Sequence, residues 1–201
     1  MAVKKVGLTG NIGSGKTTVG RLFEIIGVPV YYADDHAKRL LNTTDVASQI
    51  KTIFGDDCIG ADGMPDRKVI AKKVFADTQL LQKLNKIIHP LVGIDFERWT
   101  DNYHDQMYVI MEAAILFETE RARQLYKNIL VTAPEQLRIR RVCERDGVGA
   151  EDVLKRMEHQ MPEAEKEQLA DFLIKNDGKE PLIPQVEIIH QQITASISEK
   201  T

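Results

Sequence analysis

Apolar positions along this chain follow two different periods. Residues 3–9 form a short β-rich run that is followed by glycine, which predicts a strand. Beyond Lys16 the apolar residues are spaced i, i+3, i+4 and i+7, which predicts one buried face of a helix. The apolar stripe from Leu182 to Ile197 predicts a C-terminal amphipathic helix. Four more apolar runs predict strands, at about 28–32, 107–111, 128–132 and 172–175.

Short strands that alternate with helices indicate an α/β fold, a parallel sheet of about five strands with helices on both faces. Residues 57–105 interrupt this alternation, because from Arg67 to about Tyr103 the pattern is helical without a strand. The pair His89-Pro90 predicts a break in that stretch, since the residue before a proline disfavours helical backbone. We therefore expect a helical insertion over 57–105 at the carboxyl edge of the sheet, where ligands of such folds bind.

The composition narrows the class of protein. The 201 residues are 43% hydrophobic and 28% charged, which excludes wholesale disorder, and the net charge of −3 argues against nucleic-acid binding through general basicity. The longest apolar run, 108–117, is far shorter than the roughly 20 residues of a membrane helix, and the N-terminal apolar stretch is too short for a signal sequence. Cys58 and Cys143 lack metal-site spacing and suggest a reducing compartment. We expect a cytoplasmic protein with neither a nucleic-acid nor a membrane partner.

The motif with the most specific chemistry is a glycine-rich loop between the first strand and the first helix. Residues 10–17 match the pattern G-x-x-x-x-G-K-[ST] at every fixed position. Glycines let backbone N–H groups approach phosphate oxygens, and the helix N-terminus adds its partial positive charge. Lys16 can reach the β- and γ-phosphates, and the Thr17 hydroxyl can ligate Mg²⁺. Binding of a nucleoside triphosphate is thus predicted for Gly10, Asn11, Ile12, Gly13, Ser14, Gly15, Lys16 and Thr17.

Several features favour a small-molecule kinase over other classes that share this loop. The sequence has no N-K-x-D guanine reader, and motor ATPases usually carry more chain. Asp34 follows the second predicted strand, at the sheet edge where the loop binds phosphates, so its carboxylate can meet an acceptor hydroxyl. Arginines at helical spacing can neutralise charge in the transition state: Arg138, Arg141 and Arg145, with Arg156 beyond them. The insertion carries cations that suit an anionic acceptor: Arg67, Lys68, Lys72 and Lys73.

Each of these features also has a purely structural interpretation. An aspartate after a strand is often a helix N-cap, which is the alternative for Asp34. Arginine-rich helices are usually solvated faces whose charges pair weakly with nearby glutamates. The lysines of the insertion can be ordinary surface charge.

Taken in order along the chain, the short motifs resemble those of the dephospho-CoA kinase family. Residues 7–19, G-L-T-G-N-I-G-S-G-K-T-T-V, are close to the family's wording of the phosphate loop, and the likeness covers nearly the whole chain. Asp62-Gly63 with Arg67 is similar to the family's D-G-x-x-x-R. Further matches follow in the family's order: Ala33-Asp34, Leu84-Asn85, His89-Pro90, Leu116-Phe117-Glu118, Arg145-Asp146, Arg156, Gln160, Ala170-Asp171 and Asn176.

The chain departs from the family pattern at three positions. Tyr32 stands where the family often has an aspartate, two positions before its catalytic aspartate, so Asp34 would carry that role alone. Glu112 stands where the family's third-strand carboxylate falls, and the proline that usually follows is missing. Arg138 replaces a frequent glutamine ahead of the arginine helix.

The resemblance implies a P-loop kinase-like fold and ATP-dependent phosphorylation of the ribose 3′-hydroxyl of dephospho-CoA, the last step of coenzyme A synthesis. ATP would be the phosphoryl donor and Mg²⁺ the metal. The chain would be a single domain over 1–201, acting as a monomer or small homo-oligomer. Its parts would be a core of about 1–56, 106–139 and 169–201, an acceptor-binding helical insertion at 57–105, and a helical lid at about 140–168.

The same resemblance assigns roles to individual side chains. Asp34 would orient the hydroxyl and take its proton, while Lys16, Arg141 and Arg145 would offset the developing negative charge. Arg67 and a turn at His89 would hold the acceptor together with Asp34. Thr17 and Glu112 would hold the metal. The nucleotide would be bound by the loop, 10–17, and by Thr18, Arg145, Arg156 and Asn176.

Other functions stay open on the sequence alone. A nucleoside or nucleotide kinase would share the phosphate loop and lid but not the D-G-x-x-x-R…H-P series. A non-catalytic ATP-responsive binding module is a different class, against which an intact Lys16, Thr17 and Asp34 argue. His89 can also be a capped turn histidine, and Asn176 can simply form a turn.

Overall fold

A single five-stranded parallel sheet organises the protein, with strand order β2-β3-β1-β4-β5. The computed structural model describes residues 2–119 and 121–199, without the side chains of residues 75, 76 and 78. The strands are β1 Lys4–Thr9, β2 Val30–Tyr32, β3 Tyr108–Glu112, β4 Lys127–Thr132 and β5 Phe172–Lys175. The predicted α/β parallel sheet is confirmed, and each predicted strand is within two residues of the observed one. The winding direction reverses beside β1, and ligands of such sheets bind at the carboxyl ends of the strands at this point.

The chain packs as two compact units, and the first contains the entire sheet. This unit consists of the residues up to Tyr32 and those from Asn102 onward. Its helices are α1 Lys16–Ile25, α6 Glu135–Asp146, α7 Ala150–Met157, α8 Glu163–Leu169 and α9 Leu182–Ser198. The predicted C-terminal amphipathic helix is α9, which packs against α1 and β5.

Both faces of the sheet are buried, which explains why its strands are nearly continuous apolar runs. Residues that alternate along a strand point to opposite faces. Val109, Met111 and Leu130 are fully buried on one face. The other face forms one apolar cluster with α1 and α9, including Val6, Leu8, Phe23, Ile110, Ile129, Ile189 and Ile193.

The second unit, Ala33–Asp101, is helical, as the sequence predicts for most of it. Aspartates cap the N-termini of two of its helices: Asp66 accepts hydrogen bonds from the N–H groups of the second and third residues of α4, and Asp77 does the same for α5. His36 Nδ1 lies 2.6 Å from Asp95 Oδ2 and joins α2 to α5. The helices are α2 Ala33–Leu41, α3 Thr44–Phe54, α4 Arg67–Ala76 and α5 Thr78–Thr100.

The predicted break at His89-Pro90 is wrong, because α5 continues through it with Pro90 in its interior. A proline inside a helix costs about 3 kcal/mol, since it removes one hydrogen bond and crowds the preceding turn. Ile88, Val92 and Phe96 are buried on one face that spans the proline. Burying each such side chain contributes roughly 1.5–3 kcal/mol, so this packing outweighs the local cost.

Within the described part of the chain, Cys58 and Cys143 form no disulfide. No helix over those residues is long and apolar enough to cross a membrane. They also contain no group of three or more His, Cys, Asp or Glu side chains that could hold a metal ion.

Candidate active site

The glycine-rich loop joins β1 directly to α1, which begins at Lys16. Gly13 and Gly15 have φ angles of 80° and 90°, in the left-handed region that side chains disfavour. A β-carbon at Gly13 would lie 2.5 Å from the carbonyl oxygen of Arg138, and one at Gly15 would overlap the side-chain amide of Asn176. Glycine is therefore required at both positions for the backbone conformation and for close packing.

A buried carboxylate faces the loop lysine. Glu112 ends β3 and is only 4% exposed, and its Oε1 lies 3.8 Å from Lys16 Nζ. In the sheet, Glu112 is paired in register with Leu8 of β1 and Tyr32 of β2. The hydroxyl-bearing residues Thr17 and Thr18 are exposed in the first turn of α1. An ammonium, a carboxylate and hydroxyls are thus present where β1 and β3 end.

Arg141 and Asn176 brace the loop through a connected set of hydrogen bonds. Arg141 donates to the carbonyl oxygen of Gly13 at 3.4 Å and to Asn176 Oδ1 at 3.3 Å. Asn176 in turn donates from Nδ2 to the carbonyl oxygen of Ser14 at 2.7 Å. These contacts tie α6 and the end of β5 to the loop.

The arginines of α6 lie in different environments although they share a helix face. Arg138 is 4% exposed, and its Nε donates to the carbonyl oxygen of Ala133 at 3.0 Å. Its Nε also lies 3.8 Å from Glu163, a carboxyl whose pKa is raised by burial. Arg138 therefore supports the packing of α6 and α8, and the expectation that it faces the triphosphate is not supported.

Arg145 and Arg156 meet at one carboxylate. Asp146 accepts hydrogen bonds from Arg145 Nε at 2.7 Å and from Arg156 Nη1 at 2.9 Å. The hydrogen bond from Arg145 is the main reason that the pKa of Asp146 lies below its ordinary value. The sequence assigns no role to Asp146, although its position beside Arg145 indicates a charge partner.

The chain that follows α7 also contacts the phosphate loop, a contact that the spacing of residues along the sequence does not predict. Ile12 donates its backbone N–H to Gln160 Oε1 at 2.8 Å, and Asn11 Nδ2 donates to the carbonyl oxygen of Met161 at 3.4 Å. In the sequence, Gln160 is one of the positions that match the family's motifs. Its hydrogen bond to the loop gives that match a physical reason.

Tyr32 makes contacts that an aspartate at this position would not make. Its hydroxyl donates to Glu24 Oε2 at 2.9 Å, joining the end of β2 to α1. Burial and this hydrogen bond raise the pKa of Tyr32 above its ordinary value. Tyr32 is therefore a neutral hydrogen-bond donor.

The residues predicted to bind the acceptor all belong to the second unit. Asp34 is exposed and is the second residue of α2, so it lies within the helix instead of preceding it as a cap. Arg67 is the first residue of α4 and, with Lys68, lines a cavity of about 450 Å³. His89 is half-buried within α5, and the expectation that it stands in a turn is wrong.

The glycine-rich loop after the first strand and its lysine, on a parallel sheet of this order, define a P-loop protein that binds the phosphates of a nucleotide. The sequence model of the family described as dephospho-CoA kinase matches residues 4–181. A dephospho-CoA kinase of Bacteroides fragilis is 36% identical over 187 residues, which are 92% of this chain and 90% of that protein. One from Methylococcus capsulatus is 38% identical over 172 residues, 85% of this chain and 86% of that protein. The chain therefore belongs to the dephospho-CoA kinase family.

Solved structures have the same fold. A Thermus thermophilus protein is 33% identical, with a TM-score of 0.83 over 98% of both chains. A dephospho-CoA kinase from Campylobacter jejuni is 23% identical, with a TM-score of 0.62 over 96% of this chain and 98% of its own. A shikimate kinase from Acinetobacter baumannii, in complex with shikimate, is 17% identical with a TM-score of 0.52, over 96% and 94%. The last two resemblances concern the fold alone.

Proposed function

We propose that this chain transfers the γ-phosphoryl group of ATP to the ribose 3′-hydroxyl of dephospho-CoA, giving coenzyme A and ADP. One observation carries this proposal within the family assignment: the phosphate loop is intact, and its Lys16 ammonium faces the Glu112 carboxylate at 3.8 Å. Phosphoryl transfer has a loose transition state, so catalysis rests on positioning and on neutralising charge. The loop and its basic side chains are suited to both tasks.

For the donor, we assign the nucleotide phosphates to residues 10–17 and to Thr18 on the first turn of α1. Lys16 would neutralise charge on the β- and γ-phosphates. Arg141 and Asn176 would hold the loop in a binding-competent shape, since both already hydrogen-bond to it. Arg145 and Arg156 would exchange Asp146 for phosphate oxygens, because guanidinium groups bind either anion through paired N–H donors.

The residues at the loop fit a magnesium ion. Mg²⁺ prefers oxygen ligands and usually keeps several waters, taking one or two protein oxygens together with substrate phosphates. The Glu112 carboxylate beside Lys16 and the exposed Thr17 hydroxyl provide oxygen donors of this kind. When bound, the ion would supply positive charge that neutralises the phosphate oxygens. Glu112 would also keep the Lys16 ammonium oriented towards the loop.

For the acceptor, we assign the 3′-hydroxyl to Asp34 and the acceptor's anionic groups to Arg67 and His89. Asp34 is exposed and follows β2 by two residues, and its carboxylate would accept the hydroxyl proton as the phosphoryl group is transferred. Arg67 is exposed at the start of α4 beside Lys68, in a cavity large enough for a phosphate group. His89 would act from a helix face, since α5 is continuous there.

The functional regions follow from these roles. We propose a core of about 1–56, 106–139 and 169–201, an acceptor-binding insertion at 57–105, and a lid at about 140–168 that closes over ATP and excludes water. We also propose that the enzyme works in the cytoplasm on small molecules, without nucleic acid, as a monomer or small homo-oligomer.

A panel of acceptors with radiolabelled ATP tests the function directly. We expect label to enter dephospho-CoA in preference to nucleosides, nucleoside monophosphates and shikimate, and NMR of the product to show a 3′-phosphate. The Lys16→Ala variant, run alongside, should transfer to none of them. Faster transfer to a nucleoside or nucleotide would identify another small-molecule kinase. Tight ATP binding without transfer to any acceptor would instead indicate a binding module.

A further inference from the structure

A fully buried lysine lies behind the phosphate loop in helix α8. Lys166 is 0% exposed, and its Nζ is 2.8 Å from Glu118 Oε1. Glu118 stands in the connection that follows β3, directly after the buried residues Leu116 and Phe117. All of these residues belong to the first unit.

Glu118 also holds the backbone that touches the loop. The Oε1 atom that meets Lys166 accepts the backbone N–H of Met161 at 3.1 Å. The carbonyl oxygen of Met161 accepts from Asn11 Nδ2, and the neighbouring Gln160 accepts from the Ile12 N–H. A continuous series of polar contacts thus leads from Lys166 through Glu118 and residues 160–161 to the loop.

A purely structural role explains this lysine poorly. Removing an ammonium from water is costly, and replacing both partners of a buried ion pair by apolar residues of similar size is often neutral or stabilising. Burial lowers the pKa of Lys166, although the contact with Glu118 opposes that shift. The Glu118 carboxylate accepts the Met161 N–H, and a methionine at position 166 could not balance the charge of that carboxylate.

We infer that Lys166 and Glu118 are positioning residues for nucleotide binding: their ion pair fixes residues 160–161, which in turn fix Asn11 and Ile12 of the phosphate loop. A loop that is ordered before binding does not have to be ordered by the nucleotide. This inference rests on the proposed binding of ATP by the loop, but not on the identity of the acceptor.

Binding of ADP, measured by calorimetry without any acceptor, tests the inference independently of the proposed reaction. Lys166→Met should raise the Kd for ADP by about tenfold, the equivalent of leaving roughly one residue to be ordered on binding. Lys51→Met, the same change at an exposed lysine of α3 that lies outside the proposed lid, should leave the Kd unchanged. Amide hydrogen exchange at Ile12 should become faster in Lys166→Met and not in the control.

A second variant covers the case in which Lys166→Met does not fold. Glu118→Gln keeps the size of the side chain and removes its charge, and it should weaken ADP binding and speed exchange at Ile12 in the same way.

A double-mutant comparison adds a sharper criterion: Lys166→Met should have little further effect on the Kd once Gln160→Ala is present, since both act through one contact series. If the double variant raises the Kd by the product of the two single-variant factors, the inference is overturned. So would a lowered Tm with unchanged Kd and unchanged Ile12 exchange, which is the result of a merely structural pair.

Discussion

The side-chain amide of Asn176 donates a hydrogen bond to the carbonyl oxygen of Ser14 at 2.7 Å, so the end of β5 is tied to the middle of the phosphate loop. Asn176 Oδ1 accepts from Arg141, which also contacts the Gly13 carbonyl. Because the Gly13 and Ser14 carbonyls accept these hydrogen bonds, the backbone of the loop is fixed at both residues before a nucleotide binds. A site whose shape is fixed in advance costs little rearrangement when charge develops in the reaction.

Asp34→Asn tests the proposed base. The amide keeps the size and polarity of the side chain but cannot accept the hydroxyl proton. We expect kcat to fall by at least about a hundredfold, the low end for loss of acid–base catalysis, with ATP affinity nearly unchanged. Asp35→Asn is the matched control, because Asp35 is the exposed neighbour that pairs with Lys38. An unchanged kcat in Asp34→Asn would remove this carboxylate from the chemistry.

Arg145→Ala tests the proposed neutralisation of transition-state charge. Loss of one preorganised charged donor should lower kcat by about a hundredfold. Arg140→Ala provides the comparison on the same helix, since Arg140 is exposed and pairs with Glu144 at 3.7 Å. Steady-state kinetics at saturating ATP should show a large loss for Arg145→Ala and little change for Arg140→Ala. Equal losses in the two variants would mean that the helix, and not the Arg145 guanidinium, matters.

The sheet could be predicted from sequence because its physical cause is local. Strands buried on both faces are short apolar runs, and the phosphate loop has glycines at fixed positions where the backbone needs them. The predicted helix break at His89-Pro90 was wrong because the structure there is not decided locally. A local preference against helix before proline was outweighed by buried side chains on both sides of it, and that packing is a tertiary effect.

How deeply each charged side chain is buried depends on tertiary packing, which the spacing of residues along the sequence does not reveal. Arg138 and Arg145 share a helix face, yet they are separated by about 10 Å along the axis at 1.5 Å per residue. Arg138 is buried beside Ala133 and Glu163 of α8, whereas Arg145, in the last turn of α6, remains accessible. Lys166 gave no sequence signal either, because α8 is polar along most of its length and the packing of α8 on β4 is a tertiary contact. The roles assigned to the site residues stay predictions.

Glu112→Gln tests the proposed metal role of the buried carboxylate. Glutamine keeps an oxygen but removes the charge that faces Lys16 and would attract Mg²⁺. We expect the Mg²⁺ concentration for half-maximal activity to rise by about tenfold, a typical effect of weakening a metal's surroundings. Activity should be abolished by EDTA and restored by added Mg²⁺ in both proteins. If the Mg²⁺ dependence is identical in the two, Glu112 acts on Lys16 and not on the metal.

His190 gives the fold a pH dependence that can be measured without activity. Its Nδ1 lies 2.8 Å from the hydroxyl of Tyr108, whose pKa is raised by burial, so the tyrosine donates and the neutral imidazole accepts. Burial lowers the pKa of His190. Because its folded pKa lies below the unfolded one, the unfolded state takes up a proton first as pH falls. The stability from the neutral ring is therefore complete above the ordinary pKa of about 6.5 and is lost as pH falls from there towards the folded pKa.

Thermal unfolding of the wild type and His190→Gln isolates this contribution. Glutamine does not titrate, so the Tm advantage of the wild type should shrink between about pH 7.5 and 5.5, a range that brackets the ordinary histidine pKa. His36, whose pKa burial also lowers, is present in both proteins and cancels in the difference. A wild-type advantage that stays constant or grows on acidification would show that the Tyr108–His190 contact does not require the neutral ring.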